Sequence, residues 1–214
     1  MARAHLSSRL ATIGVIAFVA ITLVEHALVP RLEPAHYMIS EYANVGGIAG
    51  AAGAVALAAW GGSFLACAAL GWAVGANIAE RTVSSRALAA LLLMAGLGFI
   101  VAAVCPTQAV RGVVPVGEHL RLAGRLHDLG SGIGQLSIFG AAIVSGRIFA
   151  AHRSFHRATV ALVATGLLVG PTFAVLGVGD RGLRQRALVA GACVWELGLI
   201  GVLDRSRRAE ESAE

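Results

Sequence analysis

Six apolar runs separated by short polar connections make up most of the chain, at approximately 9–29, 53–78, 87–105, 127–149, 158–178 and 186–203. Each holds roughly 18–26 residues, enough at about 1.5 Å rise per residue to cross the hydrocarbon of a bilayer as a helix. None alternates apolar and polar positions with a period of two, so the strands of a barrel are not indicated. The pattern predicts an all-α fold: a polytopic transmembrane bundle of about six spans, built as one membrane domain over 1–214 with a short charged tail at 205–214. The first run exceeds the core of a signal peptide. Glu25 and His26 end it where a small-residue cleavage site would stand, so it reads as a retained span.

Composition agrees with the pattern. Charged residues make up 14% of the chain, against about a quarter in soluble domains, which leaves too little polar surface to face water. The 17 basic residues are all arginine, a codon-usage signature of a GC-rich bacterial genome that places the protein in a bacterial cell membrane. The net charge of +5 is no nucleic-acid signal, because the arginines sit in short loops and form no continuous patch. Ten of them fall at the N-terminus, the second and fourth loops and the C-terminus, and seven on the other side. That bias puts both termini in the cytoplasm. The acidic end Glu210, Glu211 and Glu214 reads as a frayed, solvated tail.

Small residues recur at i+4 in two runs: Ala59, Ser63, Cys67, Gly71 and Gly75 in the second, and Gly166, Gly170 and Ala174 in the fifth. Such stripes let helix backbones approach closely in lipid. They serve packing within the chain, with a homodimer or a membrane-protein partner as the alternative. Pro171 is expected to kink the fifth span. No internal repeat of the kind found in many transporters is visible. Cys67, Cys105 and Cys193 share no metal-like spacing; Cys67 and Cys193 read as small buried residues, and Cys105 approaches a membrane surface.

The chemistry-bearing positions are the ionisable groups in or beside the spans, where charge is costly. Glu25 and His26 lie in the last turns of the first span, one turn after Thr22. In the fourth, His127, Ser131 and Gln135 repeat at i, i+4 and i+8 with Asp128 adjoining, so they share one helix face. Glu196 falls near the middle of the sixth, beside Trp195 and one turn after Cys193. With cytoplasmic termini, the first span ends outside and the fourth and sixth begin there. Glu25, His26, His127 and Ser131 then share a level, Gln135 lies about 12 Å deeper and Glu196 roughly 15 Å below the start of its helix. A polar cavity in the outer half follows, with His36, Tyr37, Ser40, Glu41, Tyr42 and Asn44, then Glu118 and His119, then Gln185 and Arg186 around its mouth. Structural alternatives stand beside it: interfacial histidines bonded to headgroups, Glu25 paired with Arg31 or Arg186, Glu196 hydrogen-bonded to a neighbouring helix, and Ser131 bonded to its own backbone.

The loops also carry a resemblance. His36-Tyr37-Met38-Ile39-Ser40-Glu41-Tyr42-Ala43, then Cys105-Pro106-Thr107, then Gly124-Arg125-Leu126-His127-Asp128, then Gly182-Leu183-Arg184-Gln185-Arg186 and Trp195 resemble, in order, elements of a bacterial six-span membrane family catalogued as domain of unknown function 998. Tyr42 stands where that family commonly has leucine, and Gln108 where an acidic residue is expected. The resemblance implies the fold and the membrane location and carries no established chemistry.

Three functions are compatible with these residues. The first is binding or processing of a lipid or isoprenoid, with His127, Asp128, Glu25, His26 and Glu196 as acid–base groups. Ser40, Glu41, Tyr42, Ser131, Gln135, Gln185, Arg186 and Trp195 would then hold the substrate, Arg186 taking a phosphate or carboxylate headgroup in bidentate fashion. A zinc form would draw on His26, His127 and Asp128, although the paired-histidine spacing of multi-span zinc hydrolases is absent. The second is a non-catalytic subunit or stabiliser of a membrane complex. The third is a small-solute or proton transporter using Glu196 and Gln135.

Overall fold

The structure, a computed structural model, describes residues 2–77, 82–109, 121–150, 152–175 and 180–212. Its described residues form helices α1 (Ala2–Leu28), α2 (Ile39–Tyr42), α3 (Gly47–Asn77), α4 (Thr82–Val104), α5 (Leu122–Ile148), α6 (Arg153–Val175) and α7 (Arg181–Glu211). Five of these, α1, α3, α4, α5 and α7, are long and apolar enough to cross a membrane. The remaining predicted span falls on α6, and its expected end at 178 lies outside the described residues. The protein is a multi-pass helical membrane protein.

Packing follows a ring. Helix α3 lies against α1 and α4, α4 against α5, α5 against α6 and α6 against α7, and α7 returns to α1 and α3. Bulky residues such as Phe64, Leu70, Leu92 and Leu199 fill the interior, while Ile13, Leu23, Leu97, Leu136 and Val194 are exposed around the outside. An apolar exterior of this extent suits lipid and not water.

Lipid removes most of the hydrophobic reason for helices to associate, so close backbone approach carries the packing. Glycines supply it. A Cβ on Gly61 would lie 2.8 Å from the Gly96 carbonyl oxygen, and one on Gly96 would lie 2.7 Å from that of Gly61, which fixes the α3–α4 seam. The α4–α5 seam is built alike, with Gly98 against Gly130 and Gly134. The predicted stripe in α3 is spent inside the chain: Gly14 of α1 presses on the Ala59 carbonyl and Ser63. Gly166 sits under the ring of Phe139 from α5. Gly75, Gly170, Pro171 and Ala174 belong to positions whose side chains are outside the described set.

The two termini meet at one end. The amino nitrogens of Arg207 lie 3.2 and 3.1 Å from the ring nitrogens of His5, and Arg207 also donates to Asp204 at 2.9 Å. Asp204 takes Arg208 as well, at 2.7 Å. These i+3 and i+4 pairs continue α7 through the charged tail to Glu211, where the sequence suggested a frayed end at Glu210, Glu211 and Glu214. At the opposite end, called outer below, the chain after α1 folds back over the bundle. Helix α2 is one turn long and was not foreseen. The Met38 amide donates to the Glu41 carboxylate at 3.0 Å, and Glu41 stands three residues after this N-cap, half of the capping-box signature. Gly46 and Gly47, at φ of 80° and 61°, then turn the chain into α3 through backbone that other residues rarely adopt.

Candidate functional site

The glycine seam between α4 and α5 sets where α5 presents its polar face. His127, Asp128, Ser131 and Gln135 share one face of α5 over about 12 Å. That face borders a cavity of about 360 Å³, within the range of small-molecule sites. The opposing walls come from α1, α3, α4 and α7, including Phe18, Leu57, Trp60, Phe99, Leu188 and Val189. Met38, Ile39, Ser40, Thr107 and Gln185 complete its outer end. Of the residues singled out in the sequence, Ser40, His127, Asp128, Ser131, Gln135 and Gln185 therefore meet around one space.

His127 is the group there held by two hydrogen bonds from its ring. Its side chain is buried, and Nδ1 lies 2.9 Å from the Ala102 carbonyl oxygen and 2.8 Å from that of Cys105. Carbonyl oxygens only accept, so Nδ1 carries a proton and donates it. In the neutral ring, Nε2 is then the basic nitrogen. Ala102 lies in the last turn of α4 and Cys105 just beyond it, where carbonyls lack partners in the helix. The hydroxyl of Ser131 donates to the His127 carbonyl oxygen, the local bond that sequence reading offered as the structural alternative. Its lone pairs remain for the cavity. Asp128 is exposed and has no ion pair among the described residues. Gln185 accepts the Ile39 amide proton through Oε1 at 2.7 Å, which anchors α2 to α7 and leaves its amide NH2 unused.

A second cluster lies at the same end and does not line this cavity. Arg186 donates through Nη1 to the carbonyl oxygens of Pro34 and Tyr37, both at 2.6 Å, and to that of Gly182 at 3.1 Å. Its Nε and Nη2 approach His26 Nε2 at 3.2 and 2.7 Å. Tyr42 packs edge-on against His26, with the guanidinium 5.7 Å from the Tyr42 ring centre. Burial pushes the Tyr42 phenol above its usual range, so it keeps its proton and donates to the Leu32 carbonyl oxygen at 2.6 Å. Glu25 is buried beside Gly53, where a Cβ would come within 2.5 Å of Oε1, and neither carboxylate oxygen accepts a hydrogen bond. The expected pairing of Glu25 with Arg31 or Arg186 is not among the ion pairs of the described residues.

This cluster clamps the first outer loop. A lysine cannot reproduce the fork of a guanidinium. Arg186→Lys is therefore expected to keep the fold of the long helices while loosening residues 29–46. Limited proteolysis or hydrogen exchange checks this, as cleavage or exchange in that loop rising about tenfold or more with little change elsewhere; unchanged protection of the loop counts against it.

Glu196 is separate from both clusters. It is fully buried at the far side of Trp60, whose indole Nε1 donates to it at 3.0 Å. Ser63 donates at 2.7 Å, and Cys67 lies 3.9 Å away. Trp60 also stacks with Phe18 and Phe99 at 4.6 and 4.4 Å. Glu196 thus holds the indole that forms one wall of the cavity. Trp195 is fully buried with its Nε1 unpartnered and does not line the cavity. Among the described residues no three His, Cys, Asp or Glu side chains gather into a metal-binding group; His26 and His127, invoked for zinc, belong to different clusters. Glu118 and His119 lie outside the described residues.

Sequence reading did not find the aromatic wall of Phe18, Trp60 and Phe99. Their spacing shows only that each lies in an apolar run, and the contact that unites them joins three helices. Asn44, which donates through its side chain to the Thr107 carbonyl oxygen and so ties α2's loop to the end of α4, was named only as a polar loop residue.

The family described as protein of unknown function (DUF998) matches residues 12–201, nearly the whole chain. No curated protein and no solved structure matches it.

Proposed function

We propose that this chain, which belongs to the DUF998 family, binds a lipid or isoprenoid in the cavity between α5 and α7 and moves a proton on it through His127. The supporting observation is the state of His127: Nδ1 is committed to two backbone carbonyls while the ring borders the cavity. That arrangement presents Nε2 as a base of fixed direction, the geometry a general acid–base group needs. The walls favour the same class of ligand. One side is aliphatic and aromatic, the other polar, and the whole lies within helices that face lipid. Residues on α5 and α7 would hold the polar part of the ligand. The arginine-only basic composition and the arginine bias of the loops support placing the protein in a bacterial cell membrane, with this cavity on its non-cytoplasmic side.

His127→Asn separates the two roles of the ring, because an asparagine NH2 can replace the Nδ1 donor but nothing replaces Nε2. The variant is expected to melt within a few degrees of the parent and to retain lipid on purification. It should fail to restore the lipid profile of a deletion strain, read by untargeted lipid mass spectrometry. Full restoration by this variant would remove the acid–base role.

A further inference from the structure

The hydrogen-bonding character of the cavity wall is uneven. Along α5 it offers acceptors: the Asp128 carboxylate, His127 Nε2 in the neutral ring, and the lone pairs of Ser131, whose proton is already donated to the backbone. No arginine lines the cavity among the described residues. The nearest cation in sequence to its α7 wall is Arg186, and its donors are directed to three carbonyl oxygens and to His26. Neutral donors are present as well, the amides of Gln135 on α5 and Gln185 on α7 and the hydroxyls of Ser40 and Thr107, but none of them carries charge. A phosphate or carboxylate placed here would meet a carboxylate and a basic nitrogen and find no cation to offset its desolvation. A group that donates protons would satisfy the acceptors directly.

We infer that the cavity selects amphiphiles whose headgroup donates hydrogen bonds and carries no negative charge, an alcohol or an amine on a single apolar chain, and rejects phosphate- and carboxylate-headed lipids. This rests on the cavity reading above and narrows its substrate class. It also reverses the sequence-based expectation that Arg186 would hold an anionic headgroup. The hydroxyl of an alcohol donates to His127 Nε2 or Asp128 and accepts from Gln185. The ammonium of an amine pairs with Asp128. The apolar chain lies against Trp60, Phe99 and their neighbours. Gly132 marks the same wall: it is exposed, borders the cavity, and a Cβ there would meet nothing within 4 Å. A side chain can therefore be added here without displacing packed atoms, and one as large as phenylalanine is expected to reach into the cavity.

The test uses the full chain in phosphatidylcholine nanodiscs with four probes of one chain length: tetradecanol, tetradecylamine, tetradecanoate and tetradecyl phosphate. Binding is read by native mass spectrometry and by fluorescence of the intrinsic tryptophans. The alcohol and the amine are expected to bind on the order of tenfold or more tighter than either anion. Gly132→Phe is expected to remove binding of both, and Asp128→Asn, which keeps an oxygen acceptor and loses the charge, to weaken the amine about tenfold and the alcohol far less. Anions that bind as tightly as the alcohol, and are displaced by Gly132→Phe, would overturn the headgroup inference while leaving the cavity as the binding site. Probes that all fail to bind, or bind indifferently to Gly132→Phe in a folded protein, would overturn the cavity reading and the inference together.

Discussion

Gly98→Ala is expected to disrupt the bundle, although it adds a single methyl group in the middle of an apolar helix. The new Cβ would lie 2.5 Å from the Gly130 carbonyl oxygen, 2.9 Å from the Gly134 amide nitrogen and 3.1 Å from the Gly134 Cα. All three are backbone atoms of α5, so no side chain can turn aside. Helices α4 and α5 must separate by several tenths of an ångström or more along their whole seam. Overpacked cores lose about 1–3 kcal/mol even where side chains yield, and here the expected loss is at the upper end of that range or beyond it. The outcome to measure is a fall in melting temperature of purified protein in detergent, with loss of the monodisperse peak on size-exclusion chromatography. Gly132→Ala on the same α5 is the control. Its Cβ meets open space, and alanine favours helix over glycine by about 1 kcal/mol, so stability should hold or rise. Equal behaviour of the two variants would show that the α4–α5 seam is not set by these glycines. The consequence reaches the proposed function, because α5 carries His127, whose Nδ1 is anchored on α4 and the residue just beyond it. A shifted seam moves the His127 ring and one cavity wall together.

The second large effect is expected at Glu196. It accepts from Trp60 and Ser63 in a site with no exposure. Glu196→Leu removes the acceptor and leaves the indole N–H without a partner in a fully buried site, while the single Ser63 hydroxyl proton can turn to the Trp60 carbonyl oxygen, 2.6 Å away. Stranding a buried polar group costs about 1–3 kcal/mol, and the leucine also fits poorly where a carboxyl group sat. Destabilisation of roughly 2–4 kcal/mol follows, measured by thermal or denaturant unfolding in detergent. The coupling is testable with Trp60→Phe, which deletes the indole N–H and retains an aromatic ring in the Phe18 and Phe99 stack. In that background Glu196→Leu should cost less, by about 1 kcal/mol. Additive losses would mean that Glu196 does not act on Trp60. Because Trp60 lines the cavity, the single variant is also expected to weaken ligand binding without Glu196 touching the ligand.

Much of the fold was legible because the features that encode spans are local. Twenty apolar residues in succession specify a helix in lipid whatever their neighbours are, since no other conformation satisfies the backbone there. The i, i+4, i+8 spacing of His127, Ser131 and Gln135 fixed a shared face for the same reason. The resemblance of the loops to a catalogued family was legible in short motifs, and the match over residues 12–201 establishes it. Helix α2 was missed because four residues carry too little periodicity, although Glu41 three positions after Met38 was a usable cap signal.

What the sequence could not settle was which polar residues meet. Glu25, His26 and His127 looked equivalent, as polar groups at one depth, with Arg186 at the mouth and Glu196 roughly 15 Å below the start of its helix. The tertiary structure separated them into a cavity face, a loop clamp and a buried acceptor for Trp60. Depth along a helix is a one-dimensional property and can be counted in residues. Whether two groups at one depth touch depends on the rotation of each helix about its axis. That rotation is set by contacts such as Gly98 on Gly130 and Gly61 on Gly96, whose partners lie in different helices. The sequence by itself determined a helical membrane protein and the polar residues that share one face of α5. Only the packing of backbone on backbone decided that this face borders a cavity, that Arg186 is spent on the loop, and that Glu196 stands behind the wall.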